Sequence, residues 1–516
     1  MALADAKEAS IEDLLVRLDA LEREIKILRE ENALLKKWRF GRSSERLEPG
    51  QLSFFETGEW PEEGLLPELA PKRAKKPSKP VIGHGRALFP AHLERVEHRL
   101  DLCEADRKCP DCSSEMRLIG EDASERGRLI PAKMVVDRYV RGKYACPHGH
   151  TVKVAALPAG VVDGCKYDAS VHAHIVTAKY NDHMPLNRLE GIFERHGIRI
   201  PKQTMWDMLV RVDELVAQPV LKQMRLELLE EPLLHADETS VVLRVEGKKG
   251  SKKGWVWGWR NEPGGDRPSK ALIEFHSGRD KHVPASFLGA WIGTLLIDGF
   301  GSYNPICKAN GITRAGCWAH ARRYFREALE GGAADAAPLL RMISRLFALE
   351  RGVRQRAERL GLSHDEMLTL RGKVRARSAN PLLVRMLDAA RELEGQRTVL
   401  PKSKLGRAVT YLLNQQKPLR TFIDDALVPI HNNDEERDLR HIIIGRKNWM
   451  VFASLRGGEV ACRLYSLMLS CRQNGVNPEA YVADVLMAVE TTPNSEIASL
   501  TPWAWGAARK AAAVTE

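Results

Sequence analysis

The stretch LLHADETSVVLRV at residues 233–245 predicts a long β-strand, because apolar and β-branched residues dominate it. Two more strands are predicted after it, in GWVWGWRN at 254–261 and in ALIEFHS at 271–277. A short helix in VPASFLGAW, a strand in GTLLIDGFGSY, and a strand and helix in TRAGCWAHARRYFREAL continue the run to residue 329. Three strands followed by alternating helices and strands predict an α/β sheet.

Two aspartates lie within these predicted strands. Asp237 interrupts the first strand, and Asp298 ends the apolar run TLLID. A buried carboxylate is unfavourable unless it is paired or bound to a metal, although an aspartate at a strand end also suits a turn. Two such aspartates on strands that are predicted to be neighbours favour a shared site.

A third carboxylate is expected from the acidic run DEERD at residues 434–438, on a predicted helix. With the two aspartates it would complete a site of hard oxygen ligands for Mg²⁺ or Mn²⁺. The spacing alone does not choose among the four acids of the run, which are Asp434, Glu435, Glu436 and Asp438.

The composition is that of a large globular protein. At 516 residues several domains are expected, and 44% of the residues are apolar. No apolar run approaches the ~20 residues of a membrane span, and MALADAKEAS at residues 1–10 lacks the apolar stretch of a signal peptide. The nine cysteines are then expected to be reduced thiols or metal ligands in a cytoplasmic protein. The net charge of +11 suits a polyanionic partner.

A heptad repeat occupies residues 11–35. Its a positions are Ile11, Leu18, Ile25 and Asn32, and its d positions are Leu14, Leu21, Leu28 and Leu35. A polar Asn32 at an a position fixes register in parallel dimers. Across such a dimer three flanking pairs would be opposite in charge, Arg17–Glu22, Glu24–Arg29 and Glu31–Lys36. A helix that packs only on its own chain would not need these pairs, so a self-associating coiled coil is predicted.

Three cysteines are spaced like zinc ligands. KCPDC places Cys109 and Cys112 in a C-x-x-C knuckle, and Cys146 follows in YACPHGH. Three thiolates suit a tetrahedral zinc site, whereas free thiols at a turn are the simpler alternative. The fourth ligand stays open among His148, His150 and Cys103.

Two consecutive helices are predicted within residues 185–216. The segment PLNRLEGIFERHG runs from Pro185 to Gly197, and PKQTMWDMLVRVDEL begins at Pro201. Two helices joined by a short glycine-containing turn resemble a helix-turn-helix, whose second helix enters the DNA major groove. Because any helical domain has such corners, a purely structural role stays open.

Basic residues cluster in several places. EGKKGSKKG at 246–254 is expected to form a lysine-tipped hairpin loop, and PKRAKKPSKP at 71–80 an extended basic linker. Candidate DNA contacts are Lys248, Lys249, Lys252 and Lys253 in the loop, Arg322 and Arg323 on a predicted helix, and Arg440, Arg446 and Lys447 after the acidic run. Balancing the charge of the acidic run explains the last group equally well.

Long segments of the chain match a known family in order. They are AKYNDHMPLNRLEGIFERHG, HADETS, DGFGSYNPI, GCWAHARRYF, NNDEERDLR, GRKNWMVFAS and LYSLMLSCRQNGVNPEAYVADVL. The heptad, FGRSSERL, the zinc module and LTPWAW extend the match to nearly the whole chain. These segments closely resemble the DDE transposases of the bacterial insertion-sequence-sixty-six family. The resemblance implies a ribonuclease-H-like catalytic core, interrupted by a helical insertion, that cleaves DNA at element ends and transfers the strands to target DNA.

The resemblance also implies which acids are catalytic. Matching DET, DGF and NNxxER residue by residue selects Asp237, Asp298 and Glu436. Phosphodiester transfer suits two Mg²⁺ or Mn²⁺ ions held by such carboxylates. The other acids of the run are then expected on a solvated helix face. The implied partners are the terminal inverted repeats, target DNA, a second copy of the chain and accessory proteins of the same element. The implied zinc module would hold one structural Zn²⁺.

Three positions depart from the family pattern. Gly149 stands where the second knuckle usually has cysteine, so His148 or His150 has to substitute for it in zinc binding. His431 stands where the family usually has aspartate before NN. Cys103 is not a usual family position, and the histidines are preferred to it.

The fold class expected from all of this is a multidomain α+β protein. The expected parts are a coiled-coil helix at 1–48, a linker at 49–95, a zinc-binding module at 96–160, a helix-turn-helix-like DNA-binding region at 161–228, the first part of the catalytic core at 229–330, a helical insertion at 331–425, the last part of the core at 426–475 and a helical tail at 476–516. Two rival functions remain, a non-catalytic zinc-containing DNA-binding regulator and a structure-selective nuclease of the same fold.

Overall fold

A computed structural model describes residues 11–40, 134–145, 152–155, 166–244 and 250–515. The chain falls into two compact units, one of Glu68–Asp137 and one that joins Met1–Pro67 to Arg138–Glu516. In the smaller unit the described residues are 134–137, which form no regular secondary structure. Every contact below lies within the larger unit.

Seven strands and seventeen α-helices occur in the described residues. The strands are β1 Lys143–Ala145, β2 Val152–Val154, β3 Leu233–Arg244, β4 Ser251–Asn261, β5 Ala271–His276, β6 Thr294–Ile297 and β7 Thr313–Gly316. The helices are α1 Ile11–Phe40, α2 Ala169–Val176, α3 Leu186–Arg195, α4 Lys202–Val212, α5 Gln218–Leu228, α6 His282–Leu288, α7 Asn304–Asn310, α8 Trp318–Glu330, α9 Ala336–Leu360, α10 His364–Val374, α11 Asn380–Gly395, α12 Lys404–Asn414, α13 Gln416–Asp424, α14 Asn433–Trp449, α15 Leu455–Gln473, α16 Pro478–Ala488 and α17 Pro502–Thr515.

A mixed sheet of five strands forms the centre, in the order β5-β4-β3-β6-β7. β3 pairs antiparallel with β4, and β4 pairs antiparallel with β5. β6 lies parallel to β3 on its other side, and β7 lies parallel to β6. The strands and helices expected between residues 233 and 329 are therefore confirmed. β3 is the central strand, and its acids Asp237 and Glu238 lie between β4 and β6.

One detail of the expected lysine loop is wrong. β4 begins at Ser251, which pairs with Arg244, so Lys252 and Lys253 belong to the strand. Both side chains are exposed. The sequence suggested a loop at these lysines, but Lys252 and Lys253 still pair with β3. Backbone hydrogen bonds form whether the side chains are apolar or charged. Lys248 and Lys249 lie outside the described residues.

Alternation along β4 makes the two faces of the sheet different. Trp257 and Trp259 are fully buried on one face, where Trp259 stacks on Phe287 of α6 with ring centroids 4.1 Å apart. Gly258 and Arg260 belong to the other face, which α14 covers. One face of the sheet is therefore an aromatic core, and the other receives an acidic helix.

Helix α15 covers the open edge of the sheet at β5. The Ser466 hydroxyl accepts a hydrogen bond from the Ile273 amide at 2.8 Å, and the Ser470 hydroxyl donates to the Ala271 carbonyl at 3.0 Å. Both serines are completely buried. They satisfy backbone groups that an edge strand would otherwise expose.

The segment expected as a helical insertion is helical in the structure, from α9 through α13. It packs on the opposite edge of the sheet, where Leu419 of α13 lies against Gly316 of β7. Trp318 of α8 donates its indole N–H to the Leu419 carbonyl at 2.9 Å. The helical segment is thus attached to the edge strand β7.

A buried arginine holds the end of this segment. Arg375, which is 1% exposed, donates to the Glu350 carboxylate through Nε and Nη2 at 2.7 and 3.0 Å. Its Nη1 donates to the carbonyls of Phe422, Asp425 and Val428 at 2.6–3.0 Å. One guanidinium therefore fixes the chain where it leaves α13 and approaches α14.

The two helices of the expected helix-turn-helix are α3 and α4. Pro185 and Pro201 stand immediately before them, and Gly197 adopts a φ of +85° in the turn, where glycine is favoured. Helix α16, near the C-terminal end of the described residues, packs on α2. There His174 Nδ1 lies 3.2 Å from Glu479 Oε1. The helical region thus includes C-terminal residues as well as residues 166–228.

Helix α1 contacts the helical segment through two polar side chains, Lys26 and Glu30. Lys26 donates through Nζ to the Thr398 carbonyl at 2.7 Å. Glu30 is 7% exposed and accepts from the Lys404 amide, at the start of α12, at 3.0 Å. The heptad leucines Leu18, Leu21, Leu28 and Leu35 are 50–63% exposed.

No helix in the described ranges is both long and apolar enough to cross a membrane.

The first prediction concerns the buried guanidinium. Arg375→Met should lower the free energy of unfolding by about 3–5 kcal/mol, because it leaves the Glu350 carboxylate and three carbonyls without their donor. Arg377→Met, two residues away and exposed, should change it by less than about 0.5 kcal/mol. Urea unfolding of the two variants measures the difference. Equal losses for both would contradict the assignment of Arg375 as a buried clamp.

Candidate active site

The register of the parallel strands brings two aspartates together. His235 of β3 pairs with Leu296 of β6. Continuing that register by two residues places Asp298 beside Asp237. Asp298 directly follows β6 and accepts a hydrogen bond from the Phe300 amide at 2.8 Å, which closes a tight turn. The sequence expectation that these aspartates are neighbours is confirmed.

The next acid along β3 points to the other face. In the antiparallel register Asp237 lies opposite Gly258, and Glu238 lies opposite Trp257. The Glu238 carboxylate is paired with Arg279 and accepts from the Tyr303 hydroxyl at 2.9 Å. Alternation therefore separates two adjacent acids, with Asp237 on the α14 side and Glu238 against the aromatic side.

The acidic run lies in the first two turns of α14 and is not a solvated face. Glu435 is 1% exposed and Asp438 is 6% exposed, so the expectation that they face solvent is wrong. Asp438 pairs with Arg260 of β4 at 3.1 Å. Asp434 pairs with Arg437 at 2.9 Å, nearer the surface. The Glu436 side chain is 34% exposed.

Glu435 is buried because β4 has no side chain at the contact. A Cβ added to Gly258 would lie 1.8 Å from Glu435 Oε1, so only glycine fits. Since Gly258 is also the pairing partner of Asp237, this contact holds α14 directly over the strand that carries that acid. Burial raises the pKa of Glu435 well above its ordinary range, and nearby Asp438 raises it further.

The electrostatics of Asp237 couple it to the other acids. Burial raises its pKa to about 8, and repulsion from Glu238, Asp298 and Glu436 adds to the rise. An acid with this pKa holds a proton at neutral pH in the metal-free protein. Asp237 thus lies among other carboxylates with its charged form disfavoured. Acids with a shifted pKa in such surroundings are typical of functional sites.

His320 of α8 also faces this group. Its Nε2 lies 3.9 Å from Glu436 Oε1, and its Nδ1 is buried without a hydrogen-bond partner among the described residues. Burial, followed by the nearby Arg323, lowers its pKa. Cys317, which precedes the helix, is completely buried and accepts from the Asn432 amide at 3.3 Å. Cys317 is therefore a residue of the core.

The donor chemistry of the candidate site suits a divalent cation. Asp237, Asp298 and Glu436 supply hard anionic oxygens, the ligands that Mg²⁺ and Mn²⁺ prefer. Burial raises the pKa of Asp237, and repulsion from the neighbouring carboxylates raises it further. Within the described ranges, no three His, Cys, Asp or Glu side chains lie close enough together to bind an ion as they stand.

The predicted zinc ligands lie outside the described residues. These are Cys109, Cys112, Cys146, His148, His150 and Cys103. Along the chain, the antiparallel strands β1 and β2 flank residues 146–151, which contain Cys146 and both histidines.

The basic candidates differ in their surroundings. Arg323, Arg440 and Lys447 are exposed, like the two lysines of β4, whereas Arg322 is partly buried. Arg446 donates to the Ser240 carbonyl of β3. Arg446 therefore holds α14 against the sheet, which is a structural contact that its basic character did not predict.

Some residues around the site were not expected from the sequence. Arg279 and Tyr303 hold Glu238, and Asn432 contacts β3 at the start of α14. No spacing signal marks them, since their partners are distant in sequence. His431, the departure from the family pattern, stacks on Phe347 of α9 with centroids 5.9 Å apart.

Four family models match parts of the chain. The model for the Transposase IS66 family matches residues 164–460, more than half of the chain. Residues 106–148 match the zinc-finger binding domain of transposase IS66, and residues 466–503 match the IS66 C-terminal element. Residues 27–97 match a model described as Transposase C of IS166 homeodomain.

Uncharacterized proteins of Sinorhizobium fredii (strain NBRC 101917 / NGR234) are similar along most of the chain. The protein y4qI is 29% identical over 448 residues, which are 84% of this chain and 78% of that protein. The protein y4jD is 28% identical over 435 residues, which are 81% of this chain and 82% of that protein.

The second prediction follows from the pKa of Asp237. Its folded-state pKa of about 8 exceeds the ordinary value of 3.8, so the stability due to its proton is complete below about pH 4 and is lost as the pH rises towards 8. In a chelator, Asp237→Asn should therefore raise the melting temperature relative to the wild type, and by more at pH 8 than at pH 5.

The control is Asp388→Asn, at a side chain that is 58% exposed. Its difference from the wild type should stay small and flat across the same pH range. Thermal melts at five pH values give both curves. A wild type that gains stability relative to Asp237→Asn between pH 5 and 8 would contradict the raised pKa.

Proposed function

The chain belongs to the IS66 family of transposases, and on that premise we propose that it cleaves DNA strands at the ends of a mobile element and joins them to target DNA. The observation that supports the proposal is electrostatic: besides burial, repulsion from carboxylates that include Asp298 and Glu436 raises the pKa of Asp237 on β3, the strand that pairs with β6. Asp237, Asp298 and Glu436 are the proposed catalytic acids. Family membership supports DNA as the partner.

The proposed fold of the core is ribonuclease-H-like. Three antiparallel strands, β5, β4 and β3, are followed by two strands parallel to β3. The proposed helical insertion is the run α9–α13 between β7 and α14. This order supports the proposal, because Asp237 lies on β3, Asp298 directly follows the neighbouring strand β6, and Glu436 belongs to α14, which packs on β3.

The three acids would hold two Mg²⁺ or Mn²⁺ ions. When bound, such ions activate the attacking oxygen and stabilise the leaving oxygen of the phosphodiester. The Glu436 side chain is 34% exposed and therefore open to solvent. Because burial raises the pKa of Asp237 to about 8, its carboxyl would have to lose its proton to act as a ligand, and the charge of a bound cation would favour that loss.

Nine basic residues are proposed to bind DNA phosphates. Of these, Lys252 and Lys253 on β4, Arg323 on α8, and Arg440 and Lys447 on α14 are exposed, Arg322 and Arg446 are partly buried, and Lys248 and Lys249 lie outside the described residues. Phosphate contacts fix the position of a duplex without reading its sequence.

A structural zinc is proposed for the N-terminal part of the chain. Cys109, Cys112 and Cys146, with His148 or His150, are its proposed ligands. The zinc-finger match at residues 106–148 includes the three cysteines and His148, which supports the set.

Self-association through α1 is proposed for pairing two DNA ends. The apolar seam of the heptad is exposed in the single chain, at Leu18, Leu21, Ile25, Leu28 and Leu35. Because Lys26 and Glu30 attach α1 to the helical segment, a dimer through this seam would link two catalytic cores.

The third prediction tests the three acids. Asp237→Asn, Asp298→Asn and Glu436→Gln should each lower nicking of terminal-repeat DNA in Mg²⁺ by about 10³-fold or more, and the losses should not add. DNA affinity in a gel-shift assay should be retained.

Glu435→Gln is the matched control for the third acid. Because burial raises the pKa of its carboxyl and disfavours the charged form, a neutral amide of the same size should leave most activity intact. An inactive Glu435→Gln beside an active Glu436→Gln would show that the assignment is displaced by one residue.

The fourth prediction tests the seam. Leu21→Lys with Leu28→Lys should convert a dimer into a monomer, because it places charge where two apolar seams would meet. Val16→Lys is the control, since Val16 lies on the outer side of the heptad at 71% exposure. Sedimentation velocity measures the mass. A monomeric wild type, or a dimer that survives the double substitution, would contradict the role of the seam.

A further inference from the structure

One asparagine joins three elements of the candidate site. Asn432 is 2% exposed, and its Nδ2 donates to the Ala236 carbonyl at 2.9 Å. Its Oδ1 lies 2.8 Å from Nδ1 of His235, and its backbone N–H donates to Cys317 Sγ at 3.3 Å. A single buried residue thus bonds to β3 twice and to the start of α8 once.

Chemistry determines the orientation of the amide. A backbone carbonyl only accepts, so the amide group that faces Ala236 has to be Nδ2. Oδ1 then faces His235, whose Nδ1 has to carry the proton and donate it. On the other side of the ring, His235 Nε2 lies 3.1 Å from Glu262 Oε2. His235 is completely buried and Asn432 holds its Nδ1, whereas its Nε2 makes no hydrogen bond to the described residues despite the nearby carboxylate.

The contacts connect the residues that carry the acids. His235 and Ala236 are the two residues before Asp237 on β3. Asn432 immediately precedes α14, and its carbonyl accepts from the Glu436 amide at 3.2 Å. Hydrogen bonds of Asn432 therefore connect the two residues before Asp237 to the backbone of Glu436.

Asn432 does not act as an ordinary helix cap. Asparagine before a helix usually accepts from an amide of the first turn. Here the side chain makes no such bond and turns to β3 instead. A cap would stabilise α14 alone, whereas this side chain fixes where α14 begins relative to the strand.

We propose that Asn432, oriented by His235, is a positioning residue that sets the separation of Asp237 and Glu436. The proposal rests on the proposed function, because it assigns those acids to one metal site. Displacements of about 1 Å are enough to weaken catalysis substantially. Loss of the amide should therefore impair metal binding and turnover more than it impairs folding.

The test measures Mn²⁺ binding by calorimetry without DNA, nicking kinetics and thermal stability on the full chain. Asn432→Ala should weaken Mn²⁺ binding about tenfold and lower kcat for nicking by about 10–100-fold, with KM for DNA unchanged. His235→Ala should behave alike. His235→Asn, which keeps a donor near the position of Nδ1, should recover most of the loss. Asn433→Ala, the partly buried neighbour, is the control and should match the wild type.

The outcomes separate the two proposals. If Asn432→Ala keeps wild-type Mn²⁺ affinity and kcat and only melts lower, the residue is merely structural and the positioning role is overturned. If Asn432→Ala does not fold, the comparison of His235→Ala with His235→Asn decides, and equal defects in both overturn the role. A wild type that neither binds Mn²⁺ nor nicks DNA overturns the proposed function, and the positioning role with it.

Discussion

Negative charge crowded at one end of the central strand has to be offset, and the surrounding structure does so in a different way for each acid. Glu238 is paired with Arg279 and accepts a hydrogen bond from Tyr303. Burial against Gly258 raises the pKa of Glu435 and disfavours its charged form. Asp237 accepts a hydrogen bond from the Glu238 amide, yet its pKa rises to about 8 through burial and the nearby acids. A carboxyl with a raised pKa among other acids is suited to binding a divalent cation, whose charge would offset the repulsion.

The helical segment between β7 and α14 supports this arrangement from outside the sheet. Arg375 holds the carbonyls at 422–428, just before the acidic helix. Gly299, next to Asp298, lies against the Tyr411 ring of α12, where a Cβ would come within 2.9 Å. The segment therefore contacts the chain beside Asp298 and the approach to Glu436. A disturbance in these helices is expected to reach the proposed catalytic acids without any change in the acids themselves.

The sequence predicted the sheet well because strand periodicity is a local signal. It also placed Asp237 and Asp298 together, since parallel neighbours bring corresponding residues side by side. It did not predict the burial of Glu435, because that depends on a glycine in β4, far away in sequence. The bonds of Asn432 to His235 and Ala236 were missed for the same reason. Contacts between distant segments leave no periodic trace. The choice of Glu436 as the proposed third acid came from the resemblance to a family and not from spacing.

The central claim is that Asp237, Asp298 and Glu436 form one metal site. Anomalous diffraction at the manganese edge, from crystals of the protein grown in Mn²⁺, tests it most directly. The account predicts a manganese peak within coordination distance of carboxylate oxygens from all three residues, which have drawn together around it. Manganese bound elsewhere in the fold, or no peak at saturating Mn²⁺ with the three carboxylates unmoved, would contradict it.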